Sequence, residues 1–278
     1  MTDADVMQAA SDAAAAGDTE TLEALIRQYP EIVHAHIPRD PVTLLHDVAV
    51  NSVVWNYPNA LAVADLLIKA GADVNGPLEA AASVDAVEIA ERLLDAGADP
   101  NGVQPWPPLE EALYWGQMRT ARLLLGRGAA VKTLRAAAGL GDLEKIESFF
   151  EDGELKPGAG TIASCFGGDL PHHGSTERQH LLDNAFTMAC LNGQAAAAKL
   201  LQAKGAAIDA LAPGYHFHGT GLHAAIWQGH TEIVKYLIEA GADLGKRDAG
   251  EAAATPLDWA DYHSRDDIAA LLKAAIGG

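Results

Sequence analysis

The sequence predicts an all-α solenoid of repeated helix pairs, and three observations carry that expectation. Similar short segments recur, each leading into an apolar run of helical period: Thr43-Leu44-Leu45-His46, Thr220-Gly221-Leu222-His223-Ala224-Ala225 and Thr255-Pro256-Leu257-Asp258-Trp259-Ala260. Closely similar Gly-Ala-Asp triplets stand at Gly71-Ala72-Asp73, Gly97-Ala98-Asp99 and Gly241-Ala242-Asp243. Of the 278 residues 49% are hydrophobic but only 6% aromatic, a composition that suits helices packed through small side chains better than a sheet.

The repeat is a matter of register. Thr220 and Gly241 are 21 positions apart, and so are Gly76 and Gly97, Pro107 and Gly128, Lys132 and Gly153, and Asn184 and Gly205. The interval from Gln8 to Tyr29 fits too, with tyrosine in the glycine place. Ala81, Ala112, Ala137, Ala189, Ala225 and Ala260 each fall five positions after their unit's start. The physics is that of stacked helix pairs. Small residues at the alanine place allow close approach, the glycine ends the second helix in the left-handed conformation, and stacking buries a face that no unit could bury alone.

About eight units result, covering 1–278 as a single repeat domain with approximate bounds 8–42, 43–75, 76–106, 107–131, 132–153, 184–219, 220–254 and 255–278. The connections vary where the helices cannot. From each glycine place to the next start the gaps are 14, 5, 10, 4, 31, 15 and 14 residues. The junctions before Gly76 and Lys132 are too short for a β-hairpin finger, while 154–183 is a long loop insertion rich in glycine and proline. The unit starting at Thr43 carries an extension around 51–59 that contains Trp55 and Tyr57.

These segments resemble the ankyrin repeat, a unit of about 33 residues bearing the pattern Thr-Pro-Leu-His-x-Ala. The resemblance implies a binding module that presents a concave groove to a protein or peptide partner. Recognition would then fall to the residues just before each start and to the exposed end of each first helix. Here those are Trp106, Tyr114 and Trp115; His216, Phe217, Trp227 and Gln228; and Tyr262 and His263. Rings gathered on one exposed face give much contact area at low entropic cost. Trp259, earlier on its helix, reads as structural. His46 and His223 occupy the fourth place of the pattern, where the resemblance implies hydrogen bonds that tie neighbouring units together.

The insertion and the finger Gly214–Gly219 are rich in histidine, project from the same edge and could meet. His172, His173 and His218 beside Asp169 form the alternative, an enzyme or small-molecule receptor roofed by 154–183 with histidine as acid and base. As binding residues, His172, His173 and His218 join the aromatic set. Adjacent His172-His173 is a poor metal-ligand spacing, and no HExxH or paired CxxC occurs, so neither metal nor cofactor is expected. Gly126-Arg127-Gly128 ends a helix instead of opening one after a strand and does not signal phosphate binding. Cys165 and Cys190 have no neighbouring base in sequence to activate them.

Charge narrows the partners. Nineteen basic against 38 acidic residues give a net charge of −19, which repels nucleic acid and anionic membranes and leaves room for a basic partner. Two cysteines make no disulfide framework, and there is neither a signal peptide pattern nor a long apolar run. The expectation is a cytoplasmic monomer.

Overall fold

Side-chain caps set where several helices begin. The side chains of Asp18, Thr43, Thr133, Asp142 and Thr255 accept hydrogen bonds from backbone N–H groups of the first turns they precede. Thr220 forms a reciprocal capping box with His223. The chain is described by a computed structural model over residues 3–38, 41–102, 106–166, 168 and 170–277, among which lie sixteen α-helices.

The helices fall into two units, Met1–Ala130 and Val131–Gly278. Unit 1 holds α1 (Asp3–Ala16), α2 (Thr19–Gln28), α3 (Leu44–Val54), α4 (Ala60–Lys69), α5 (Asn75–Ser83), α6 (Val87–Asp95), α7 (Pro108–Tyr114) and α8 (Met118–Gly126). Unit 2 holds α9 (Leu134–Leu140), α10 (Leu143–Ser148), α11 (Arg178–Leu191), α12 (Ala195–Ala203), α13 (Gly221–Gln228), α14 (Thr231–Glu239), α15 (Pro256–Tyr262) and α16 (Asp266–Gly277). A two-stranded hairpin, β1 (Phe150–Glu151) and β2 (Glu154–Leu155), follows α10. Helices of six to fourteen residues are marginal alone, so their stability comes from stacking.

Within each unit consecutive helices pair, the first helices of neighbouring pairs pack on one another, and the second helices do likewise. Ala81, Ala112, Ala137, Ala189, Ala225 and Ala260 are all fully buried. Beyond each of Gly71, Gly97, Gly128, Gly205 and Gly241, which have φ between 84° and 104°, an alanine N–H reaches back five residues to a leucine carbonyl of the second helix.

A second set of bonds ties pair to pair. Asn59 donates to the Gly17 carbonyl, Gln117 to Ser83, His230 to Leu191 and Arg265 to Trp227, at 2.7–3.2 Å. Each donor stands at the start of a second helix, and each carbonyl lies at or near the preceding pair's tight turn. His223 shares its Nδ1 with Thr220 and points Nε2 at the Ala254 carbonyl, 3.3 Å away, linking α13 to the next finger.

Three details differ from the sequence expectation. The helix assigned to start at Asn184 begins at Arg178, because Arg178 and Gln179 donate to the Lys204 and Gly205 carbonyls at the end of α12 and hold an extra turn and a half in place. Gly153 does not end a helix: with Asp152 at φ 53° and Gly153 at φ 83°, it forms the turn of the β1–β2 hairpin. The loop is shorter than the assigned 154–183, since β2 takes its start and α11 its end, and it is pinned on the core at Ile162, which is fully buried and bonded to both Gly174 and Ser175, and by Arg135 donating to the Thr161 carbonyl.

Replacing Ala225 with leucine should overpack the seam of α13 against α11 and α15. The expected loss is about 1–3 kcal/mol, read as a lower guanidinium midpoint with an unchanged slope.

Candidate functional site

In unit 2 the finger before α13 and the ends of α13 and α15 bring their rings into one connected run. Phe166, from the loop, lies 5.0 Å from His216 between ring centroids, and His216 lies 5.9 Å from Trp227. Phe217 packs edge-on against Trp227 at 5.7 Å and Trp259 at 6.0 Å, and Trp259 leads through His263 to Tyr262. The packed pairs of Phe217 with Trp227 and Trp259 each contribute roughly 0.5–1.5 kcal/mol beyond their buried area. The loop and the finger do meet: Gly214 donates to the Pro171 carbonyl at 2.9 Å, and a Cβ on Gly214 would stand 2.8 Å from Ile162.

The run opens at one end. Tyr262 is 84% exposed, and with Trp259, His263, Ala252, Ala254, Asp248 and Asp258 it lines a cleft of about 390 Å³. Asp248 organises the finger above it, accepting from Gly250 and Ala254 N–H on one oxygen and from Trp259 Nε1 at 2.7 Å on the other. Trp259, which the sequence marks as structural, is half-buried and also walls this cleft. Its place early on the helix gives no sign of this, because the finger that completes the cleft with it is folded by Asp248, eleven residues before it.

Other expected binding residues are placed differently. Trp106, Tyr114 and Phe217 are buried, not exposed as their positions in the repeat imply. The reason in unit 1 is Glu111, itself buried, whose carboxylate accepts from Trp106 Nε1 at 2.5 Å and Trp115 Nε1 at 2.8 Å, while Tyr114 packs edge-on between the two indoles. Phe217 is enclosed by Tyr215, Trp227 and Trp259. Trp115, His216, His218, Trp227, Gln228 and His263 are half-buried.

His172 and His173 are exposed, and the ring contact of His172 is with His180 at 3.9 Å. Asp169 lies outside the described residues. Among those residues no hydrogen bond or ring contact joins His172 or His173 to His218, and no group of three His, Cys, Asp or Glu side chains is arranged to hold a metal ion. His180, unremarked in the sequence, shares Nδ1 with Ser175 Oγ at 2.9 Å, and that hydroxyl also accepts the Glu177 N–H ahead of α11. Residues 155–160 of this region, with Thr176, Arg178 and Leu181, line a cleft of about 360 Å³, and no histidine lines it. A larger one, about 490 Å³, lies in unit 1 beside the exposed Val53 and Leu61.

Ankyrin repeats of the three-copy model match this chain over residues 134–248 and 186–277, and the chain belongs to the ankyrin repeat family. No curated protein matches it in sequence. Repeats of this family are generally protein–protein interaction modules. No helix among the described residues is long and apolar enough to cross a membrane.

The buried groups give the two units opposite responses to acid. Burial, with the charge of Glu111 adding, pushes the Glu79 carboxyl up to about 7. The folded chain therefore takes up a proton there before the unfolded chain does, and this contribution to stability grows as pH falls from about 7 toward the unfolded value. Glu79→Gln should raise unit 1 stability at pH 8 by on the order of 1 kcal/mol, after discounting for partial exposure, and the gain should vanish near pH 5. In unit 2, burial holds His216, His223, His230 and His263 below the ordinary imidazole range. The unfolded chain protonates first, so unit 2 should lose stability as pH falls through about 6.5. Hydrogen exchange followed from pH 8 to 5 reads both units separately.

Proposed function

We propose that the chain is a binding module whose protein or peptide partner docks on the ring run of unit 2. The observation that supports this is the passage from buried Phe217, through half-buried Trp227, Trp259 and His263, to the exposed ring of Tyr262 at an apolar cleft. A packed aromatic floor holds the outer rings in fixed rotamers, so a partner meets a preorganised surface and loses little side-chain freedom in binding it. Large exposed rings clustered this way are the usual anchors of interfaces. The half-buried His216 and His263, neutral at physiological pH because burial disfavours their charge, add hydrogen-bonding nitrogens without the cost of desolvating an ion.

Panning a random-peptide phage library on the whole chain should yield binders that compete with one another. Tyr262→Ala and Trp227→Ala should each weaken the selected peptides by roughly tenfold or more. Tyr262→Ala should leave the melting temperature within about 2 °C, since an exposed ring contributes little to the fold. Selected peptides whose affinity is indifferent to both replacements would sink the proposal.

A further inference from the structure

The cleft at the open end of the ring run combines two features that point to the chemistry of its guest. Its lining is mostly apolar and aromatic, from Trp259, Tyr262, His263, Ala252 and Ala254, with Asp248 and Asp258 among the lining residues. Both carboxylates are held by neutral donors. Asp248 accepts from Gly250 N–H, Ala254 N–H and Trp259 Nε1, and Asp258 accepts from the Thr255 N–H and hydroxyl at 2.8 and 2.6 Å. Those Thr255 bonds, with Arg247 adding a minor share, keep the Asp258 carboxyl below its ordinary range, so it is an anion at neutral pH.

Neither aspartate is in an ion pair with a cation of the described residues. The nearby cations make their own bonds to other groups, Arg247 to the Ala253 carbonyl, Arg265 to the Trp227 carbonyl and Lys273 to Asp261 at 3.5 Å, although the charge of Arg247 still reaches Asp258. Glu251, on the same finger, is exposed and adds a further negative charge. The result is an apolar slot that carries two carboxylates without an ion pair, in a chain of net charge −19.

From this we infer that the cleft takes a lysine or arginine side chain presented by a basic peptide segment of the partner. The aliphatic stem lies along the Trp259 and Tyr262 rings, and the cationic end meets the ring faces and the two carboxylates. A purely apolar side chain would fill the slot but leave the carboxylates without a cation. An acidic one is repelled. The charge complementarity thus selects among the partners that the ring run alone would admit, and the inference rests on the docking reading above.

The test uses the whole chain labelled with 5-fluorotryptophan, with the Trp259 resonance assigned by Trp259→Phe. It is titrated in about 150 mM salt, where long-range attraction is screened. The probes are two nonapeptides identical but for a central lysine, flanked by leucines, that is free in one and Nε-acetylated in the other. The lysine peptide should shift the Trp259 resonance saturably and bind roughly fivefold tighter or more than its acetylated twin. Asp258→Asn keeps a helix-capping side chain but removes the charge, and it should abolish that preference while leaving the acetylated peptide unaffected. Equal binding of both peptides, sensitive to Tyr262→Ala, would overturn the cation guest and leave the docking surface standing. A preference for lysine that survives Asp258→Asn would also overturn it. No perturbation of Trp259 by either peptide would overturn both readings.

Discussion

The close approach of helix pairs at six fully buried alanines is the constraint on which the rest depends. No helix among the described residues is long enough to be more than marginally stable alone, and each pair leaves an apolar face that only a neighbour can cover. A side chain larger than a methyl at the seam would push the pairs apart. The bonds from Asn59, Gln117, His230 and Arg265 to the preceding pair's carbonyls would then lengthen together. Packing and hydrogen bonding therefore enforce the same spacing, which is why a register of 21 residues survives from unit to unit while the connections drift between 4 and 31.

Freedom in the connections is what gives this chain its individuality. The loop between β2 and α11 is pinned through Ile162 and Arg135, and its far side delivers Phe166 to His216. The finger after α14 is shaped by Asp248, which folds the backbone through Gly250 and Ala254 and also fixes Trp259 through its indole N–H. One carboxylate thus couples the form of a surface loop to the orientation of a ring on the neighbouring helix. In unit 1 the buried Glu111 plays a comparable part, but with two indoles and near Glu79, so its aromatic set closes on itself. Similar residues at similar places in the repeat come out exposed in one unit and buried in the other.

The helix pairs and most of the glycine-ended second helices were legible in the sequence because each depends on local chemistry repeated at fixed spacing. The role of His223 was legible for the same reason: its place in the pattern puts Nδ1 on Thr220 and leaves Nε2 for the next finger. The early start of α11 was not, because it is held by bonds from Arg178 and Gln179 to carbonyls 26 residues away. The turn role of Gly153 was hidden as well, since a glycine with positive φ serves a helix end and a hairpin equally.

For the candidate site the division is sharper. The sequence by itself determined that His216, Phe217, Trp227, Tyr262 and His263 stand near the finger before α13 and the last helix pair, since register assigns them to recurring places, but it did not show that Phe166 and Trp259 join them. Only the tertiary structure decided which of them are exposed. Exposure depends on what lies across the seam: Glu111 draws Trp106 inward, Trp227 and Trp259 enclose Phe217, and Tyr262 stays exposed. Burial is a property of neighbours distant in the chain, and a repeat pattern specifies neighbours only at the positions it conserves within itself.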